Sequence, residues 1–144
     1  MICRLFVVCA TVCSARATAL RPGEIIANDY DFVVVIPDIH GELEGLYRSL
    51  WLAQKKVDPS RGEDLNSFKA RFTAPEARIS EGAGRVALVQ LGDLVDRGPD
   101  SYECVATMSL LPTVLGWRVL QLYGNHELMT VMSPPGEVRA LSRL

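Results

Sequence analysis

Three short polar clusters in this chain carry residue types that could do chemistry together. Pro37-Asp38-Ile39-His40-Gly41 sets a carboxylate and an imidazole two residues apart. Gly92-Asp93-Leu94-Val95-Asp96-Arg97-Gly98 packs two carboxylates and a guanidinium between two glycines. Gly124-Asn125-His126-Glu127 adds an amide and a second imidazole. Carboxylate oxygen, imidazole nitrogen and amide oxygen form the ligand set of a hard or borderline divalent metal such as Mn, Fe or Zn. A guanidinium beside them matches phosphate oxygens in pairs. No cysteine is placed to join a cluster, which argues against a structural zinc site. Taken singly, an Asp or Asn in such a place is more often a turn former or helix cap, and a lone His is more often structural. The case rests on the three clusters occurring together.

The intervening sequence must position them. Phe32-Val33-Val34-Val35-Ile36 is a continuous apolar run, as expected of a strand buried on both faces. Leu43, Leu46, Tyr47, Leu50 and Trp51 recur at helical spacing and predict an amphipathic helix over residues 42–54. Residues 55–84 are polar and broken by Pro59, Gly62, Pro75, Gly82 and Gly84. They read as an inserted surface segment with a short helix over 65–72. A second strand is expected over 85–91, and a helix over 101–111 with Asp100 as N-cap. Pro112 and Gly116 should bound the next connection. A third strand follows over 117–123, then a helix over 128–132 that Pro134-Pro135 stops. Strand, helix, strand, helix, strand predicts an α/β fold with parallel strands and crossover helices. Each polar cluster then lies at the carboxyl end of a strand, along one edge of the sheet, where open α/β sheets place their sites.

PDIHG, GDLVDRG and GNHE resemble the N-terminal signature motifs of the phosphoprotein phosphatase (PPP-type) family of calcineurin-like metallophosphoesterases. Those are usually GDxHG, GDxxDRG and GNHE, so the one departure is Pro37 in place of glycine. GDLVDRGPDSYE and YGNHELM look most like the Shewanella-like protein phosphatases, with Tyr123 where the common eukaryotic Ser/Thr phosphatases carry arginine. The resemblance implies the N-terminal half of a four-layer α/β/β/α sandwich and two divalent metal ions. It implies that Asp38 and His40 bind the first metal, Asp93 bridges both and Asn125 binds the second. His126 is then the general acid, Asp96 orients it, and Arg97 holds the phosphate. The implied partner is a phosphorylated substrate, a phosphoprotein above all. A dinucleoside polyphosphate hydrolase and a non-catalytic remnant are the alternatives. The family supplies two further histidine ligands from its second half, whereas this sequence has 2 histidines, His40 and His126. The chain is therefore expected to be the N-terminal half of a phosphatase, with little turnover alone. A nucleotide-binding α/β domain is disfavoured, because neither G-x-G-x-x-G nor G-x-x-x-x-G-K-[ST] follows the first strand.

The N-terminus reads separately. Arg4, an apolar run over residues 5–13 and the small-residue site Ala15-Arg16-Ala17 describe a cleavable signal peptide. The absence of acidic residues before Glu24 also suits an organelle transit peptide. The expected organisation is a targeting segment over 1–19 and a partial metallophosphoesterase domain over 30–144. That implies the secretory pathway or an organelle, or the cytoplasm if the segment stays uncleaved. Cleavage would remove Cys3, Cys9 and Cys13, leaving Cys104 without an intrachain disulfide partner. The apolar run is too short to span a bilayer. The net charge of −2 gives no electrostatic reason to expect nucleic acid.

Overall fold

The computed structural model describes residues 30–73 and 85–132, and the backbone of 4–7 and 11–14. Its elements in chain order are β1 (Arg4–Val7), β2 (Thr11–Ser14), β3 (Phe32–Ile36), α1 (Leu43–Val57), α2 (Leu65–Thr73), β4 (Val86–Gln90), α3 (Ser101–Leu115), β5 (Arg118–Gln121) and α4 (Asn125–Met132). The expected cleavage site, the rest of the inserted segment over 74–84 and the stop at Pro134-Pro135 lie outside the described residues.

The predicted α/β architecture is present. One sheet runs in the order β2-β1-β3-β4-β5. β3 pairs in parallel with β4, Phe32 opposite Val86 and Ile36 opposite Gln90. β4 pairs in parallel with β5, Ala87 opposite Arg118 and Gln90 opposite Gln121. β1 adds a further parallel strand beside β3, and β2 closes that side antiparallel. The in-register pairing of β3, β4 and β5 brings their carboxyl ends to one edge, so the three polar clusters meet there.

Alternation along the strands separates two faces. Val34, Ile36, Val86 and Leu88 join Leu46, Leu50, Phe68, Met108 and Leu111 in one core beneath α1, α2 and α3. On the other face Val33 and Ala87 form a smaller cluster with the partly buried Tyr30, Val35 and Val89. The strand run is thus buried deeply on one side and only partly on the other among the described residues.

Several element bounds differ from the sequence expectation, each for a local reason. The helix in the inserted segment is not merely superficial: Phe68 is fully buried and Phe72 nearly so. Arg71 reinforces this docking by donating through Nη2 to the Val114 carbonyl at 2.8 Å and through Nη1 to Glu63 at 3.2 Å. α3 continues through Pro112 to Leu115, where Gly116 ends it in the left-handed region at φ +69°. Proline at 112 removes one helical donor, while its own carbonyl still accepts from the Gly116 N–H at 3.1 Å. Asp100 sits at the N-cap position of α3 without a side-chain capping bond. α4 begins at Asn125, three residues earlier than expected, so Asn125, His126 and Glu127 form its first turn.

Candidate metal and phosphate site

The three clusters are joined by backbone before any side chain is considered. The Ile39 and His40 N–H groups both donate to the Asp93 carbonyl, at 3.0 and 2.9 Å. Gly41 N–H donates to the Leu94 carbonyl at 2.9 Å, and Gly98 N–H to the His40 carbonyl at 2.7 Å. Such close approach needs residues without side chains. A Cβ on Gly41 would lie 2.7 Å from the Gly98 carbonyl oxygen, and a Cβ on Gly92 would collide with the Gly124 backbone. Two glycine pairs thus join the first cluster to the second and the second to the third. Gln90, fully buried at the end of β4, fixes the second turn: its amide donates to the Gly92 carbonyl at 2.6 Å and accepts from the Gly92 N–H at 3.0 Å.

Backbone strain gathers here. His40, Asp93, Asp96 and Arg97 all have positive φ, between +52° and +70°. Left-handed geometry costs a non-glycine residue about 1–2 kcal/mol. It persists where surrounding bonds over-determine it, and it clusters at functional sites.

The side chains converge accordingly. His40, Asp93 and His126 each offer a ligand atom, and these atoms lie within 4.8 Å of one another. Asp38 adjoins them, its Oδ2 3.8 Å from His40 Nε2. Asn125 precedes His126 on the rim of the first turn of α4. The rings of His40 and His126 meet edge to face with centroids 4.8 Å apart. His40 Nδ1 is buried and has no hydrogen-bond partner among the described residues. Clustered oxygen and nitrogen donors around an unsatisfied imidazole fit a divalent metal.

His126 is held on both ring nitrogens. Nδ1 lies 2.9 Å from Asp96 Oδ2 and Nε2 lies 3.0 Å from Arg97 Nη2. A carboxylate only accepts and a guanidinium only donates. The ring is therefore the Nδ1–H tautomer, with a lone pair on Nε2. The His126 hydrogen bond, then the Arg97 N–H, hold the Asp96 carboxyl below its usual range.

Sequence reasoning assigns Glu127 no task, yet its side chain accepts more hydrogen bonds than any other in the site. Oε2 accepts from the Gly124 and Asp93 N–H groups, both at 2.7 Å. Oε1 accepts from the Leu94 N–H at 2.7 Å and the Val95 N–H at 3.2 Å. Burial pushes its pKa up, but these four backbone donors outweigh burial and hold it below the ordinary value. A signal is present in the sequence: Gly124 and Glu127 stand at the N-cap and N3 positions of a helix, where an acidic N3 side chain reaches back to the N-cap N–H.

All seven residues of the expected site thus lie on one edge of the sheet, in or beside one cluster. The chain belongs to the calcineurin-like phosphoesterase family, whose profile matches residues 33–142 and so spans all seven. An uncharacterised protein of Schizosaccharomyces pombe is 32% identical over 107 residues, covering 70% of this chain and 32% of that protein. A Rhodopseudomonas palustris protein named ribosomal RNA small subunit methyltransferase G is 30% identical over 94 residues, covering 60% of this chain and 41% of that protein. The chain therefore spans about a third to two-fifths of the length of these two relatives. No solved structure matches it.

Proposed function

We propose that this chain carries the metal- and phosphate-binding half of a PPP-type protein phosphatase of the Shewanella-like kind, acting on phosphoprotein. Family membership supports metal-dependent phosphoester hydrolysis. The observation that carries the finer reading is the placement of His126 between Asp96 and Arg97, beside His40 and Asp93.

In this reading Asp38, His40, Asp93 and Asn125 hold two divalent ions, Mn, Fe or Zn. Bound there, the ions supply Lewis acidity to the phosphoryl group and acidify an attacking water. The chain's own residues do the rest. Arg97 grips phosphate oxygens, which are stronger partners for a guanidinium than a neutral imidazole. When Arg97 turns to phosphate it releases the Nε2 lone pair of His126, which takes up a proton from water and passes it to the leaving oxygen. Asp96 keeps the ring oriented and supports its charged form. Residues 1–19 are proposed as a targeting segment directing the chain to the secretory pathway or an organelle, although β1 and β2 within it extend the sheet beside β3.

The test is hydrolysis of a phosphoserine peptide by the purified chain. Turnover by this chain alone is expected to be low, so the readout is its dependence on metal and on single residues. It should require added Mn2+, vanish in Asp93→Asn and fall about 10²–10⁴-fold in His126→Asn. Metal-independent hydrolysis, or full activity in Asp93→Asn, would contradict the proposal.

A further inference from the structure

Glu127 is buried, carries a charge, and is surrounded by N–H donors from two different segments. Its four donors belong to Asp93, Leu94 and Val95 of the β4–α3 turn and to Gly124 at the start of α4. The return bond runs the other way, from the His126 N–H to Asp93 Oδ1 at 2.9 Å. The two segments therefore hold each other reciprocally at Asp93. That residue is also one of those kept at positive φ, at +52°. A backbone bond on each side of a strained residue is what over-determines its conformation.

We infer that Glu127 is the positioning residue of the metal centre: its carboxylate clamps the Asp93 turn to the α4 N-terminus and so fixes the spacing of Asp93 from Asn125 and His126. The inference rests on the proposed metal-binding role of Asp93 and Asn125. Glu127 is not among the proposed metal ligands, and both of its carboxylate oxygens are engaged by backbone N–H groups. The clamp needs a carboxylate and not merely a polar side chain. Only an ionised carboxylate offers two acceptor oxygens to donors from both sides. A glutamine would turn an NH2 group toward two N–H groups and leave them unpaired in a buried place. An aspartate keeps the charge but is one methylene short of spanning both segments.

Two measurements test this. The first is amide exchange of the metal-free chain, followed by NMR. The Asp93, Leu94, Val95 and Gly124 amides should be protected in the wild type. They should exchange at least about tenfold faster in Glu127→Gln and Glu127→Asp at a temperature where both remain folded. The second is Mn2+ affinity under the same conditions, which should fall about 10–100-fold in either variant, the usual effect of losing a group that orients metal ligands. A purely structural Glu127 would lower the melting temperature and leave Mn2+ affinity of the folded protein unchanged. Affinity in Glu127→Gln within twofold of wild type overturns the inference. So does wild-type exchange at these four amides as fast as in exposed loops, a result that needs no variant to fold. If the wild type binds no Mn2+, the proposed function fails, and the amide protection decides the clamp by itself.

Discussion

Arg97 donates through Nη2 to His126 Nε2 at 3.0 Å, so the residue proposed to grip phosphate and the residue proposed to deliver a proton share a bond. With Asp96 on the opposite nitrogen at 2.9 Å, the ring is fixed in one tautomer. Nitrogen-15 shifts of the metal-free protein should show His126 protonated at Nδ1 and bare at Nε2. In Asp96→Ala the population should move toward the Nε2–H form. An Nε2–H ring in the wild type would contradict this arrangement.

Gly92 and Gly124 meet backbone to backbone, and Gly92 is also at φ +102°. Gly92→Ala adds both a collision and left-handed strain, so it should destabilise by more than about 2 kcal/mol. A Cβ on Gly62 would meet nothing within 4 Å, which makes that glycine the control. Gly62→Ala should stay within about 0.5 kcal/mol of wild type. Urea unfolding of the three proteins distinguishes them, and equal midpoints would refute the close approach of the two glycines.

Much of this fold is legible in the sequence because the signals are local. The apolar run at Phe32–Ile36, the helical spacing from Leu43 and the glycine-flanked charges at 92–98 each specify their own geometry. The first turn of α4 is not legible as helix, because Asn125 and His126 have weak helix propensity and the stabilising contact comes partly from Asp93, 33 residues away by sequence. The local bond from Glu127 to Gly124 has a capping signal in the sequence, but its reach to Leu94 and Val95 is hidden, since those partners lie far back in the chain. Phe68 reads as part of a surface segment because its neighbours in sequence are polar. Only the packing of α2 against α1 and α3 shows it buried.

That burial gives a stability prediction. Phe68 is fully enclosed and meets Phe72 with ring centroids 5.4 Å apart. Phe68→Ala should cost about 3–5 kcal/mol by lost transfer energy and an unfilled cavity. Tyr102 is 81% exposed, and Tyr102→Ala should change little. A small effect at Phe68 in thermal or urea unfolding would mean that α2 does not belong to the core.

Cys104 is buried in α3, and burial, aided by Asp100 and Glu103, pushes its thiol up to about 12. Thiolate is the reactive form, so the folded protein should leave Cys104 unmodified by iodoacetamide at pH 8. Peptide mass spectrometry should find it labelled only after denaturation. Labelling of native Cys104 at the rate of a free thiol would contradict its burial.

Everything proposed for the site depends on the ends of β3, β4 and β5 assembling one metal centre through His40, Asp93 and the start of α4. Mn2+ binding by the metal-free chain, read as loss of the free-ion signal in electron paramagnetic resonance, tests that assembly without relying on turnover. Saturable binding by the wild type is expected, weakened at least about tenfold in Asp93→Asn and in His40→Ala, with both variants still folded. No binding at millimolar Mn2+, or equal affinity in wild type and Asp93→Asn, would contradict it.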